Sequence, residues 1–233
     1  MKRHLAEEIR IARLALAKLD TGLARAHDAA PLFAWRVKER GFAGLVRLVL
    51  EQQVSIASAL AIWQRLEAGL GQVTAEVALR HDVEQLKRYG LSGPKARYVL
   101  AIAEAEREGR LNFDLLKDLN DRDATTHLVA VKGVGRWTAE VYLMGCEGRT
   151  DVFPAGDLAL QEGLRLADGA TVRMTEKALY ARAEAWRPYR GVAALLLWSY
   201  YAQLRKPTGS RSPRRKPVSA VTAAKRSPRV DLA

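Results

Sequence analysis

Cysteine is nearly absent: Cys146 stands alone in 233 residues. One thiol excludes an intramolecular disulfide framework, a zinc site built on paired cysteines and a four-cysteine iron–sulfur cluster. Histidine is scarce too. His4, His27, His81 and His127 are too widely spaced to put two rings on one helical face as metal ligands. Long apolar runs are missing. The longest, Val192–Trp198, has seven residues, far short of the roughly 20 that a membrane helix needs. The N-terminal stretch turns acidic at Glu7 and Glu8 before an apolar segment forms, so a secretory leader is not expected and a reducing, cytoplasmic setting is. There is no convincing alternating strand pattern and no fixed-period repeat.

Positive charge is what the chain has in excess, +12 overall from 38 basic and 26 acidic residues. The excess is concentrated at the C-terminal end. Residues 205–233 hold nine basic side chains and one acid, together with Pro207, Pro213, Pro217 and Pro228. That composition predicts a disordered basic arm, either a salt-sensitive tether for phosphates or a solvated tail. The whole chain is 48% hydrophobic, a globular composition, and residues 1–204 read as helix after helix. An amphipathic stretch over Arg3–Leu19 stops at Asp20-Thr21-Gly22. Leu45–Leu50 and Ile56–Leu66 flank the polar break Glu51-Gln52-Gln53. Asp82–Tyr89 ends at Gly90, and Ser92-Gly93-Pro94 opens a helix that Gly109 closes. Thr175–Trp186 and the almost wholly apolar Gly191–Leu204 complete the set. The expected architecture is all-α, two helical lobes with a cleft between them.

The segment Leu128-Val129-Ala130-Val131-Lys132-Gly133-Val134-Gly135-Arg136-Trp137-Thr138-Ala139-Glu140 is the most informative. One helix runs into Lys132-Gly133-Val134-Gly135 and another leaves from about Arg136, a helical hairpin spanning about residues 122–145. Two glycines one residue apart permit a tight turn and close approach of an outside group. The amides of the turn and of the next helix's first turn are then free to hold an anion, with Lys132 and the Thr138 hydroxyl beside them. Read alone, the same pattern also suits a helix–helix corner whose glycines serve packing. Asp157, twenty residues after Trp137, reads equally as a helix N-cap ahead of Leu158 and as a functional carboxylate. Trp137 and Trp198 read as core residues or as walls of a binding pocket.

The hairpin resembles that of the helix-hairpin-helix DNA glycosylases, and the resemblance extends over roughly residues 35–205 toward the 3-methyladenine DNA glycosylase II branch. Four landmarks carry it, in family order: Gln52-Gln53-Val54-Ser55, the hairpin, the Gly/Pro-rich loop Asp151–Gly156 leading to Asp157, and Trp186-Arg187-Pro188-Tyr189-Arg190 running into an apolar helix. The resemblance implies excision of alkylated purines from double-stranded DNA by a monomer. Asp157 would stabilise the cationic sugar, and Trp137 and Trp198, with Phe42, Tyr142 and Tyr189, would receive the everted base. Lys132, Gly133, Gly135 and Thr138 would grip the strand. Gln52, Gln53 and Ser55 would face the minor groove, Gln53 filling the vacated place. The carbonyls of Val129, Val131 and Val134 match positions that hold a structural monovalent cation in relatives. Relatives that also cut the strand carry a lysine two residues after the second hairpin glycine; here that residue is Trp137, which implies no lyase activity. The rival reading is a non-catalytic helix-hairpin-helix module that binds DNA through its hairpin and basic tail alone.

Overall fold

The computed structural model describes residues 2–35 and 37–205. The basic tail beyond Arg205 lies outside the described residues. Every regular element among the described residues is helical, as expected. A terminal lobe is formed by α1 (Lys2–Leu19), α2 (Thr21–Ala29), α10 (Leu158–Asp168), α11 (Glu176–Ala183) and α12 (Arg190–Leu204). A central lobe holds α3 (Gly41–Glu51), α4 (Ile56–Leu70), α5 (Ala75–Ala78), α6 (Val83–Arg88), α7 (Gly93–Arg107), α8 (Asp121–Val129) and α9 (Arg136–Gly145).

Each lobe is organised around one helix too apolar to face water. In the central lobe α3 buries Phe42 through Val46 and Leu48 through Leu50, packing on α4, α7 and α9. In the terminal lobe α12 buries Val192, Ala193, Ala194, Leu196 and Leu197 against α2 and α10. Burying each such Leu or Val stabilises the fold by about 1.5–3 kcal/mol relative to exposure. One continuous hydrophobic core joins both lobes.

Several expected helix starts recur because capping residues set them, whereas α3 begins at Gly41, ahead of the expected Leu45, and α4 runs on to Leu70, past the expected Leu66. Asp20, Ser55, Asp82, Ser92, Asn120, Asp157 and Thr175 each accept a backbone N–H at the start of a helix, satisfying donors that the helix itself leaves free. The terminal lobe is locked by Asp20. Its carboxylate caps α2, accepts two hydrogen bonds from Arg182 of α11 at 2.7 and 2.8 Å, and accepts a third from Trp186 at 3.1 Å. No described helix is long and apolar enough to cross a membrane.

Candidate active site

The chain enters α10 from the loop Asp151–Gly156. That loop is closed by the Asp157 N–H to the Pro154 carbonyl at 2.9 Å and by Gln161 Nε2 to the Ala155 carbonyl at 2.9 Å. Asp157 is therefore held from both sides and caps α10, its Oδ1 accepting the Leu160 N–H at 2.9 Å. Capping is one part of its work. Trp137 Nε1 donates to Asp157 Oδ2 at 2.8 Å, and Trp198 Nε1 donates to Oδ1 at 3.0 Å. Trp137 belongs to α9 in the central lobe; Asp157 and Trp198 belong to the terminal lobe. The two indoles and the carboxylate thus meet on the seam between lobes, and all three remain partly exposed. Three N–H donors on one carboxylate fix its orientation without removing it from solvent.

The hairpin lies on the same α9. Gly133 has φ +94°, and a Cβ there would come within 2.3 Å of the Tyr98 ring, so both backbone and packing demand glycine. Gly135 differs. Its φ is −79°, and a Cβ would meet nothing within 4 Å. No internal contact explains that glycine, which leaves the outer face of the turn clear for something that approaches from outside. α9 starts at Gly135 without a side-chain cap, and Lys132 is exposed beside it.

Of the other expected site residues, Tyr142, Phe42 and Thr138 are buried in the protein, while Tyr189, Gln52, Gln53 and Ser55 are not. Tyr142 is fully buried; its hydroxyl accepts the Gly41 N–H at 2.7 Å and donates to Glu147 at 3.1 Å, and its ring packs on Phe113. Burial pushes its phenol far above the usual range. Phe42 lies in the α3 core. Neither ring is a base-stacking surface, because helix α3 and the inward stripe of α9 close over them. Tyr189 is half-buried at the start of α12. Thr138 is buried, and its Oγ1 accepts Gln52 Nε2 at 2.9 Å, so its hydroxyl faces the protein and not a strand. The Gln52 amide is spent on that bond and on a longer one, 3.4 Å, to the Gly133 carbonyl. Gln53 is exposed with φ +54°, the sole non-glycine residue in the left-handed region among those described. Ser55 caps α4 beside it, accepting the Ser58 N–H at 3.1 Å.

The sequence reading missed two groups. Lys95 reaches from α7 to the carbonyls of Leu50 and Gln52, each at 2.8 Å. On α9, buried Glu140 accepts Arg136 Nε at 2.9 Å and the Tyr180 hydroxyl at 2.7 and 2.8 Å, while Arg136 stacks on the Tyr180 ring. Only the four-residue spacing of Arg136 and Glu140 was visible beforehand. This cluster lines a cavity of about 870 Å³ together with Arg122, Arg187 and Arg190. Asp157 is not in that wall, and the four arginines are balanced by Asp121, Glu140, Asp151 and Glu184, so the seam and not this cavity is the chemically distinctive place. Cys146 is a core residue whose thiol burial pushes up to about 12. No described cluster of three His, Cys, Asp or Glu could hold a metal.

An all-helical two-lobed fold with a hairpin and a carboxylate on the lobe seam defines a helix-hairpin-helix protein with an acidic active-site candidate. The family model of the HhH-GPD superfamily of base excision DNA repair proteins matches residues 46–188, and the chain belongs to that superfamily. It is 31% identical over 176 residues to DNA-3-methyladenine glycosylase 1 of Schizosaccharomyces pombe, covering 73% of this chain and 77% of that one. It is 25% identical to YfjP of Bacillus subtilis over 66% of this chain, and spans only 56% of that relative's length. The crystal structure of a DNA-3-methyladenine glycosidase from Bacillus halodurans superposes with TM-score 0.70 and 34% identity, over 79% of this chain and 86% of that one. The Schizosaccharomyces pombe Mag1 structure, in complex with abasic DNA, gives TM-score 0.72 and 28% identity over 80% and 94%.

Proposed function

We propose that the chain is a monofunctional DNA glycosylase that everts alkylated purines of the 3-methyladenine type from double-stranded DNA and hydrolyses their N-glycosidic bond. The observation that carries this reading is the carboxylate of Asp157, oriented by Trp137 and Trp198 on the lobe seam.

An alkylated purine is already cationic, so the C1′–N bond breaks with its electron pair passing to the base, which leaves neutral. Positive charge develops on the sugar, and a fixed carboxylate beside C1′ lowers its energy. Water adds to C1′ and loses a proton to Asp157, leaving an abasic sugar. The indole faces of Trp137 and Trp198 are the electron-rich surfaces available to a cationic ring at that place. Strand grip comes from the amides of the Gly133–Gly135 turn and the uncapped start of α9, with Lys132 alongside. Gln53, exposed at the tip of the α3–α4 turn, fills the place the base vacates. The carbonyls of Val129, Val131 and Val134 are hard oxygen donors of the kind a structural monovalent cation takes. Trp137 occupies the position from which a lysine would form a Schiff base, so no strand cleavage follows base release.

The test is incubation with randomly methylated duplex DNA and chromatography of the freed bases, with borohydride added in parallel. Release of methylated purine without a trapped covalent adduct is expected. No base release sinks the reading in favour of a DNA-binding module, and a trapped adduct sinks its monofunctional part.

A further inference from the structure

We propose that Lys95 is the positioning residue of the Gln53 turn, holding the strand-facing side chain at the height from which it enters the duplex. The proposal rests on the glycosylase reading above.

Helix α3 ends abruptly at the turn. Gln52 is extended, at φ −61° and ψ 129°, and its N–H reaches the Val49 carbonyl only at 3.4 Å. The last carbonyls of α3 therefore need donors from elsewhere. Lys95 Nζ supplies them, bridging Leu50 O and Gln52 O at 2.8 Å each. It does so from an unfavourable position, the first turn of α7, where the dipole of its own helix repels a cation. Burial adds to that cost and pulls the ammonium below its usual range. The compensation is the carbonyl end of α3, where a cation is favoured.

On its other flank the turn is tied to the hairpin by Gln52, whose amide bonds Thr138 and the Gly133 carbonyl. Gln52, the residue before Gln53, is thus fixed twice, its carbonyl from α7 and its side chain from α9. Gln53, next in the chain after these ties, is exposed, in a left-handed conformation that a side-chain-bearing residue adopts only when its surroundings impose it. A turn so held presents Gln53 at a set distance from the amides of the hairpin. Loosening it lets Gln53 leave the left-handed region and lowers the fraction of complexes with an everted base.

The experiment compares the full chain with Lys95→Met, Lys95→Arg, Gln53→Ala and Lys95→Met/Gln53→Ala. One readout is single-turnover release of methylated bases from methylated duplex DNA. The other is fluorescence of 2-aminopurine placed beside a tetrahydrofuran abasic analogue, which reports unstacking by the inserted residue. Lys95→Met is expected to lower both at least tenfold, since it removes two charge-assisted hydrogen bonds and one alone is worth about tenfold. Lys95→Arg restores most of the loss, and the double variant is no worse than Gln53→Ala alone. Should Lys95→Met not fold, Lys95→Gln, which keeps a neutral amide donor on a shorter stem, is expected to lose several-fold in both readouts. Full fluorescence and full release in a folded Lys95→Met or Lys95→Gln overturns the proposal, as does a double variant whose losses multiply. A wild-type chain that releases no base refutes the underlying reading and is recognised before any variant is compared.

Discussion

Replacing Asp157 by Asn separates its structural work from the chemistry proposed for it. Asp157 Oδ1 accepts two N–H groups, Leu160 N and Trp198 Nε1, whereas Oδ2 accepts one, Trp137 Nε1. An amide can serve only one side. With its oxygen on the Oδ1 side it keeps the cap and the Trp198 bond, and its Nδ2 faces the Trp137 donor at what was a 2.8 Å contact. The reverse orientation strands two donors, so the first is adopted. One broken hydrogen bond in a partly buried site costs about 1–3 kcal/mol of fold stability, and asparagine is as good an N-cap as aspartate. Under the proposed mechanism catalysis is expected to lose more. A carboxylate about 4 Å from a developing unit charge, at an effective dielectric of about 20, contributes about 4 kcal/mol, which is about 10³ in rate. Single-turnover release of methylated bases measures the rate, anisotropy with a tetrahydrofuran-containing duplex measures binding, and a thermal melt measures the fold. The expected result is a rate down by about 10³ with binding within a few-fold of wild type. Release within tenfold of wild type in a folded Asp157→Asn refutes the electrostatic role.

Trp137→Phe removes the donor that crosses from α9 to Asp157 while keeping an aromatic face; base release should fall about tenfold with little change in melting temperature, and an unchanged rate would show that the indole N–H does not orient the carboxylate. The two hairpin glycines should part company. Gly135→Ala meets no atom within 4 Å and should melt like wild type yet bind duplex DNA several-fold more weakly, whereas Gly133→Ala, at φ +94° and against Tyr98, should lose about 2–4 kcal/mol of stability. Acid stability should report on Asp20. Burial opposes its ionisation, but the hydrogen bonds from Arg182, the Leu23 N–H and Trp186, with the charge of Arg182, outweigh burial and hold the carboxyl below its usual range. A carboxyl depressed in the folded state stabilises fully above its unfolded value, about 3.9, and loses that contribution as pH falls through the folded one. Melting temperature should therefore fall more steeply with acid below about pH 4 in wild type than in Asp20→Asn; parallel curves would remove Asp20 from the account. Truncation after Leu204 should weaken duplex affinity and flatten its salt dependence without changing which base is released, and equal salt slopes would leave the tail without a role in binding.

What was legible in the sequence is what one helix decides for itself. The starts of α4, α6, α7 and α10 follow from Ser55, Asp82, Ser92 and Asp157, because a cap and its N–H lie within three residues. The hairpin followed from Gly133 and Gly135 for the same reason. α2 and α5 went unread: α2 begins at the residue after the Asp20 stop, and α5 has four residues and a short apolar signal. Ties across large separations were invisible, since nothing near Asp20 announces Arg182, 162 residues on, and nothing near Gln52 announces Lys95. The meeting of Trp137 and Trp198 on Asp157 is of that long-range kind; resemblance brought the three residues to notice, and the lobe packing supplies the geometry.

Thr138 teaches the opposite lesson, because the information that displaced it was local and present. Successive helical residues point about 100° apart. A Trp137 that faces the lobe seam therefore turns Thr138 toward a different side of α9. Buried Val134 just before that helix, Tyr142 within it and Cys146 at its C-cap lie on one stripe of four-residue steps, and Thr138 falls on the same stripe. A threonine on that stripe is buried, and a buried hydroxyl requires a partner inside the protein. Gln52 is that partner. Proximity to a helix N-terminus suggests a phosphate contact only for side chains on the exposed phase, and at this hairpin that phase belongs to Lys132, Gly135 and Arg136, all exposed. The exposed surface at the start of α9, the one proposed to meet a strand, is thus backbone and basic side chains, while the Thr138 hydroxyl serves the turn that carries Gln53.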